Sequence, residues 1–271
     1  MKRNKKNYSE WLLGARKKLA AAQIPSANLD AMLLLEYEVK KNKETILTYP
    51  ESLLTISQKY RLNRLLKKRI RHTPIAYLIN KKEFYGKEFY INKNVLIPRP
   101  ETESFISLIE KMPTKKNLRV IDLGTGSGVL AITIKSLHPK WELFATDISK
   151  KALTIARKNA KKNEVTIHFK KSDIFNSIDN DFDIVIANLP YVPSTHYVLE
   201  EVKKEPAVAI FSGKDGLDHY RSLFMSHFKN NSLLLIECLE IQQKKIKLLA
   251  QRHGFQLIGR DNLVYVFKKI K

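Results

Sequence analysis

The chain has 271 residues, of which 44% are hydrophobic, and a formal net charge of +22. This length is enough for one large domain and one small domain with a real core. The single cysteine, Cys238, excludes a disulfide framework and fits a reducing compartment, so we expect a cytoplasmic protein. The seven histidines have no metal-ligand spacing, and no apolar run approaches the roughly 20 residues of a membrane helix, so neither a metal site nor a membrane span is predicted.

The positive charge is concentrated in the first 82 residues, which hold 19 Lys and Arg against 6 Asp and Glu. Such an excess suggests an anionic partner, for example RNA, the ribosome or an acidic protein. Lysine dominates, however, without the interleaved Arg and aromatic residues expected of a base reader. We therefore favour a solvated lysine-rich surface and treat weak contact with RNA or the ribosome as the alternative.

Residues 1–75 predict a small helical domain. Apolar residues recur at spacings of three and four near 8–22, 27–39, 43–48 and 52–72, and Thr73-Pro74 ends the bundle. Residues 76–104 are predicted to be a β-hairpin linker, because 83–97 alternate with a turn at Gly86. Pro98 to Glu103 then predict a turn and a helix start.

Strands and helices alternate over the third segment, residues 105–271. Strands are predicted near 118–123, 142–146, 166–171, 182–187, 232–237, 255–259 and 263–268. The last two are joined by Asp261-Asn262, so the final strand should run antiparallel to its neighbour. The pattern predicts an α/β, doubly wound sheet of seven mostly parallel strands.

A glycine loop follows the first of these strands. It reads Gly124-Thr125-Gly126-Ser127-Gly128, whereas a dinucleotide fingerprint needs its third glycine at position 129, which is Val. The loop therefore suits close approach by a smaller nucleoside ligand. This spacing argues against a nicotinamide oxidoreductase.

The next two strands end in carboxylates. Asp147 can accept hydrogen bonds from both hydroxyls of a ribose, and Asp173 can accept from an adenine amine. Ile174 or Phe175 can cover the adenine ring. Taken alone, an aspartate at the end of a strand is often a helix cap and not a ligand-binding residue.

The fourth strand runs into Asn188-Leu189-Pro190-Tyr191, which suits holding a flat NH₂ group. Asn188 offers a carboxamide oxygen as an acceptor, and the Leu189 carbonyl can offer a second. Pro190 restricts the backbone on both sides of its own bond, and Tyr191 supplies an aromatic face. Two acceptors on its hydrogens would favour the pyramidal geometry that a poorly nucleophilic amide or base nitrogen needs for attack.

Ligands of open parallel sheets bind outside the carboxyl ends of the strands. Successive strand ends carry a glycine loop, an Asp, a second Asp and Asn-x-Pro-Tyr. This order of motifs resembles that of class I S-adenosylmethionine-dependent methyltransferases. That resemblance implies the seven-stranded sheet with an antiparallel last hairpin, and S-adenosyl-L-methionine as cofactor.

More specific strings resemble the bacterial release factor glutamine methyltransferases. They are Thr73 to Ile79, Glu83-Phe84-Tyr85-Gly86, Leu96-Ile97-Pro98-Arg99-Pro100-Glu101-Thr102-Glu103, Glu205 to Ala209 and Gly213 to Leu217. The resemblance covers nearly the whole chain and is weakest over 1–70. It implies transfer of a methyl group to the glutamine side-chain nitrogen of a Gly-Gly-Gln loop in peptide chain release factors, and so a role in translation termination.

The resemblance also assigns roles to residues. Gly124 to Gly128 would line the methionine part of the cofactor, Asp147 would bind ribose, and Asp173 with Ile174 would flank adenine. Asn188 to Tyr191 would hold the glutamine amide, with Asn188, Pro190 and Tyr191 as the catalytic group, and Asn188 would also contact the cofactor. The N-terminal helices would grip the release factor, and a monomer is implied.

Two positions depart from the family. It usually has Pro where this chain has Leu189, which predicts a less rigid loop, and often Trp where this chain has Ile174, which predicts thinner packing on adenine. The tetrapeptide with Leu also resembles that of ribosomal RNA adenine dimethyltransferases. An adenine-N6 methyltransferase acting on RNA or DNA is therefore the main alternative, and a non-catalytic cofactor-binding assembly protein a further one.

Overall fold

The structure is a computed structural model that describes residues 6–112, 117–176, 178 and 181–270. The chain forms two compact units. The helical unit comprises the chain up to Lys81 together with Leu199–Lys204, and the sheet unit comprises Lys82–Val198 and Glu205–Lys271. Among the described residues, no helix is long and apolar enough to cross a membrane.

The helical unit contains α1 (Tyr8–Ala21), α2 (Ala27–Val39), α3 (Lys43–Thr48), α4 (Ile56–Ile70) and α5 (Ile75–Ile79). Capping boxes begin two of them: Asn7 and Glu10 before α1, and Thr55 and Gln58 before α4. Each box satisfies amide groups that the first turn leaves unpaired. The first four helices lie where the apolar spacing predicts them, whereas α5 lies partly in the predicted linker.

A buried ion pair joins two helices of this unit. Arg69 Nε lies 2.6 Å from Asp30 Oδ2, and the two side chains are 2% and 1% exposed. Arg69 also donates through Nη2 to Glu201 Oε1 at 2.5 Å. Because Glu201 lies in Leu199–Lys204, the same guanidinium binds this later segment into the helical unit.

A short hairpin follows, with β1 (Lys81–Phe84) and β2 (Lys87–Tyr90). Its turn, at Tyr85-Gly86, is where the sequence predicts it. The alternating pattern beyond Tyr90 does not continue as a strand, because buried Ile91 and Val95 pack inward from irregular backbone. A 3-10 helix over Pro100–Glu103 then leads into α6 (Ser104–Lys111).

The main sheet contains β3 (Arg119–Leu123), β4 (Glu142–Asp147), β5 (His168–Lys171), β6 (Ile184–Ala187), β7 (Leu233–Glu237), β8 (Phe255–Asp261) and β9 (Val264–Lys269). Its order is β5-β4-β3-β6-β7-β9-β8, and β9 is antiparallel to β7 and β8. The helices between strands are α7 (Val129–Leu137), α8 (Lys150–Lys162), α9 (Asp218–Met225) and α10 (Gln243–Arg252). The predicted seven-stranded doubly wound sheet with an antiparallel final hairpin is confirmed.

The strand register brings the predicted motifs to one edge. Leu123 pairs with Thr146 on one side and with Ala187 on the other, and Ala187 pairs with Ile236. The residues that follow these strands therefore emerge side by side. The chain order reverses around β3, which makes this edge the topological switch point where ligands of such sheets bind.

Candidate active site

A cavity of about 280 Å³ opens at this edge of the sheet unit. Eight of the predicted site residues line it, namely Gly124, Gly126, Asp147, Asp173, Ile174, Asn188, Leu189 and Pro190. The lining does not include Thr125, Ser127, Gly128 or Tyr191. The contacts of these four residues indicate that they support the cavity wall.

The glycine loop is held by hydrogen bonds to its own strand and to the next. The Thr125 amide donates to the Thr146 carbonyl at 2.8 Å, and the Thr125 hydroxyl donates to Asp122 Oδ2 at 2.6 Å. Gly124 has φ +69°, and a Cβ there would lie 3.0 Å from Leu189 Cδ2. The loop therefore exposes bare backbone to the cavity where a side chain would enter it.

The end of the loop packs against α8. Gly128 has φ +84°, and a Cβ there would lie 3.2 Å from Ala156 Cβ. Asn159 donates through Nδ2 to the Ser127 carbonyl at 2.9 Å. Ser127 is buried, so we infer that it and Gly128 fix the loop against the helix.

Asp147 ends β4 and reaches the glycine loop. Its Oδ2 accepts from the Gly126 amide at 2.9 Å, and its Oδ1 accepts from the Ser149 amide at 2.8 Å. Burial, its largest influence, raises the pKa of this carboxyl. Each oxygen keeps a second lone pair, which is what the predicted ribose contacts require.

Asp122 lies behind the loop, as the next-to-last residue of β3. It is 1% exposed and accepts from Thr125. Burial raises its pKa to about 7. Asp122 could not be predicted from the sequence, because an acid inside a strand carries no spacing signal.

The strand after α8 ends at the far side of the cavity. Asp173 is exposed and Ile174 is partly buried, and both line the cavity. Ile174 has φ +47°, an uncommon conformation for a β-branched residue. The structure thus brings this pair, far from the glycine loop in sequence, to the same cavity.

Asn188 is anchored through its amide nitrogen. Nδ2 donates to Glu237 Oε2 at 3.1 Å and lies 3.3 Å from Thr102 Oγ1. Since both donor contacts are on the Nδ2 side, the carboxamide oxygen faces away from Glu237. The predicted acceptor is therefore held in one orientation at the cavity edge.

Tyr191 follows two residues later and contacts the same acid. Its hydroxyl donates to Glu237 Oε1 at 2.5 Å. Burial, with the neighbouring Glu237 charge as the next cause, raises the pKa of Tyr191. The Tyr191 carbonyl accepts from Gln242 Nε2 at 2.8 Å, and a Cβ on Gly216 would lie 2.1 Å from it. The end of the tetrapeptide is thus closely packed.

Leu189 is buried and belongs to the sheet-unit core, so its side chain anchors the loop. The less rigid loop that Leu189 predicts, in place of the family's usual Pro, stays a prediction. The Tyr220 hydroxyl lies 3.5 Å from the Leu189 carbonyl but donates its single proton over a shorter contact to the Glu237 carbonyl. The Leu189 carbonyl therefore keeps its capacity as an acceptor.

Two of the strings that resembled a family contact each other. Glu205 is buried, and its Oε2 accepts from the Ile97 amide at 2.9 Å. Its Oε1 accepts from Arg99 Nη2 at 2.5 Å. This contact fixes the chain that carries Thr102 and contributes the cavity-lining segment 93–96.

The site also includes Glu237, Thr102 and the lining segments 93–96 and 206–209, to which the sequence assigned no role. Glu237 had a usable signal, because it is the polar residue that ends the strand predicted at 232–237. Thr102 lies inside the quoted linker string, but nothing in that string assigns it to Asn188. The lining segments overlap the quoted strings at Leu96 and at 206–209, but nothing in those strings places them at the cavity, because their position depends on long-range packing.

The residues present fit a nucleoside cofactor. The loop offers backbone that a Cβ at Gly124 would obstruct, and Asp147 offers a carboxylate with spare acceptor capacity. Together with the sheet order and the tetrapeptide after β6, they define a class I S-adenosylmethionine-dependent methyltransferase.

Family models agree with this architecture. Residues 104–209 match the methyltransferase small domain, and residues 10–79 match the PrmC N-terminal domain. A release factor glutamine methyltransferase of Coxiella burnetii is 37% identical over 85% of both chains. Another, of Koribacter versatilis, is 37% identical over 82% of this chain and 83% of its own. This chain belongs to the release factor glutamine methyltransferase family.

A solved structure supports the fold. The methyltransferase from Pyrococcus furiosus superposes with a TM-score of 0.53 at 14% identity. The match covers 80% of this chain and 100% of that one. At this identity the likeness supports the class I methyltransferase fold alone.

Proposed function

We propose that this chain transfers the methyl group of S-adenosyl-L-methionine to the side-chain amide nitrogen of the glutamine in the Gly-Gly-Gln loop of peptide chain release factors. The observation that carries the proposal is Asn188, whose amide nitrogen is bound by Glu237 and whose oxygen faces the other way. An acceptor held in this way suits the NH₂ group of a glutamine. Family membership supplies the identity of the substrate.

The cofactor half of the site would be formed by the glycine loop and two acids. Gly124 to Gly128 would hold the methionine part, Asp147 the ribose, and Asp173 with Ile174 the adenine. S-adenosylmethionine, when bound, supplies a methyl group activated by a sulfonium centre. The chain's own residues would orient this methyl group and maintain the shape of the cavity around it.

The substrate half would be formed by Asn188 to Tyr191. Asn188 Oδ1 and the Leu189 carbonyl would accept from the two hydrogens of the glutamine amide, and the Tyr191 ring would cover its face. Positioning of this kind can contribute on the order of 7–11 kcal/mol. No strong base is required, because the methylated nitrogen becomes acidic and loses its proton to water.

We propose the same three-part organisation as the sequence analysis. Residues 1–75 would recognise the release factor, 76–104 would link, and 105–271 would bind the cofactor. A monomer is part of the proposal, as the family resemblance implies. The cytoplasm is part of it too, because release factors act there in translation termination.

The test is methyl transfer from labelled S-adenosylmethionine to a purified release factor. A factor carrying Gln→Ala in its loop and ribosomal RNA are run in parallel. Label on the unaltered factor alone supports the proposal. Label on RNA alone would overturn it in favour of the adenine-N6 alternative.

A second candidate, contact with RNA, is favoured by one surface of the helical unit. A groove of about 520 Å³ there is lined by the cations Lys40, Arg61, Arg64 and Lys68, with Glu38 as its acid. Arg61 pairs with that acid at 2.6 Å. If the groove binds phosphates, Arg64→Glu with Lys68→Glu would weaken filter binding of ribosomal RNA and flatten its salt dependence. The exposed pair Lys17→Glu with Lys18→Glu is the matched control, because it changes the same charge on α1.

A further inference from the structure

Glu237 receives three hydrogen bonds from residues around the candidate substrate site. Asn188 Nδ2 and Thr102 Oγ1 donate to its Oε2 at 3.1 and 3.2 Å. The Tyr191 hydroxyl donates to its Oε1 at 2.5 Å. The residue is 2% exposed, so these neutral donors replace the water that an exposed carboxylate would bind.

An ionised carboxylate only accepts hydrogen bonds. The group of Asn188 that faces Glu237 must therefore be its NH₂. Turning the carboxamide over would place Oδ1 against the carboxylate, which replaces an attraction with a repulsion at hydrogen-bond distance. Glu237 thus decides which end of the Asn188 amide is offered to the cavity.

The fold alone gives no reason for a charge at this position. None of the ion pairs formed by the described residues includes Glu237, and the nearby Arg99 is paired with Glu205. Burying a carboxylate without a cation reduces stability, and a well-packed neutral residue would avoid that cost. The buried charge of Glu237 is therefore better explained by a role in the candidate site than by a contribution to stability.

We propose that Glu237 is a positioning residue that holds the Asn188 carboxamide with its oxygen toward the NH₂ group of the substrate. This role rests on the proposed function. It adds the residue that sets which end of the Asn188 amide meets the substrate. Through its second oxygen, Glu237 also fixes the hydroxyl of Tyr191. One buried acid thereby orients both the acceptor and the aromatic face of the tetrapeptide.

The first experiment compares Glu237→Gln with wild type in methyl transfer to the release factor. Glutamine has the same shape but brings its own NH₂ against one of the three donors. We expect kcat to fall about 100-fold, the scale of a misplaced reactant, with the Kd of S-adenosylmethionine within about twofold of wild type. Glu240→Gln is the matched control, because Glu240 is exposed and three residues away; its kcat should stay unchanged.

A double-mutant cycle separates positioning from general damage. If Glu237 acts through Asn188, then Glu237→Gln should lower kcat much less in an Asn188→Ala background than in wild type. Equal losses in both backgrounds would overturn the proposal. Unfolding temperature is measured for every variant, and Glu237→Asp, which keeps the charge, replaces Glu237→Gln if the latter unfolds.

The pH profile provides a third readout. Burial raises the pKa of Glu237, so the ionised form, and with it kcat, should be lost as pH falls through a value above the usual range. The groups that face Glu237 are Tyr191, Tyr220, Cys238, Glu101 and Arg99. Burial raises the pKa of the Cys238 thiol to about 12, so it stays neutral in this range.

The ratio of wild-type to Glu237→Gln rates removes ionisations that both proteins share. That ratio should rise with pH and then level off, and a ratio independent of pH would contradict the proposal. Failure of the proposed function looks different, because wild type itself would leave the release factor unlabelled. An active wild type with an equally active Glu237→Gln would sink the inference and leave the function intact.

Discussion

The core of the helical unit and the candidate site of the sheet unit bury their carboxylates in different ways. In the helical unit, Asp30 lies against the guanidinium of Arg69, at 2.6 Å. In the sheet unit, Asp122, Asp147 and Glu237 accept from hydroxyl, amide and carboxamide groups. The first arrangement cancels a charge, whereas the second surrounds a charge with neutral dipoles.

This difference separates a structural role from a chemical one. A buried ion pair fixes two helices and offers nothing to a ligand. Burial is the largest influence on the pKa of Asp122, of Asp147 and of Glu237, and it raises all three. Acids of this kind cluster at functional sites. Here Asp147 lines the cavity that we assign to a cationic cofactor, whereas Asp122 and Glu237 accept hydrogen bonds from its glycine loop and from Asn188.

The largest effect is expected when the ion pair is broken. Arg69→Met should lower the free energy of unfolding of the helical unit by about 3–5 kcal/mol, because Asp30 is left buried without a cation and keeps only the hydrogen bond from the Ser26 hydroxyl. Urea unfolding followed by the fluorescence of Trp11 in a Trp141→Phe background measures this. The pair Asp30→Leu with Arg69→Met should regain most of the loss. A single variant as stable as wild type would contradict this, since the Ser26 hydroxyl alone would then be enough to hold the buried carboxylate.

The next effect belongs to the sheet unit. Asn188→Ala should reduce methyl transfer at least about 100-fold, since the substrate loses an oriented acceptor. Binding of S-adenosylmethionine, measured by calorimetry, should be nearly intact. Asp147→Ala is the contrasting variant, because it should lose the cofactor itself. A near wild-type rate for Asn188→Ala would refute its assignment.

Substitutions in the glycine loop should lower stability through steric strain and not through a change of charge. Gly128→Ala should cost about 2 kcal/mol, because alanine is strained at positive φ and its Cβ would press on Ala156. Urea unfolding followed through Trp141 in a Trp11→Phe background reports it. Gly259→Ala is the control, since a Cβ there has nothing within 4 Å. Equal stability of the two variants would argue against a strained loop.

The smallest expected effect is a change of the free energy of unfolding with pH. Burial raises the pKa of Asp122 from 3.8 to about 7, so the folded state binds more protons than the unfolded state between these values. Stability should therefore fall as pH rises through this window, by at most about 1.4 kcal/mol per unit. Asp122→Asn should remove that part of the slope. Identical slopes for both proteins would show that Asp122 does not titrate there.

The sequence predicted the parts of the molecule that depend on local pattern. Strand and helix positions follow from apolar spacing, and strand ends such as Asp147 and Asn188 follow from the topology of parallel sheets. What it could not predict depends on long-range contacts. Glu237 gathers donors from positions 102, 188 and 191, and Leu199–Lys204 joins the helical unit through Arg69. No local periodicity encodes either arrangement.

The Leu189 side chain occupies the space that a side chain at position 124 would enter. A methyl group at position 124 would lie 3.0 Å from Leu189 Cδ2, so the loop on one strand and the tetrapeptide on another share one volume. Substitutions at the two positions should therefore be epistatic. A shorter side chain at position 189 would leave steric room at 124, although the positive φ there still favours glycine, whereas a side chain at 124 would first require the Leu189 side chain to shift.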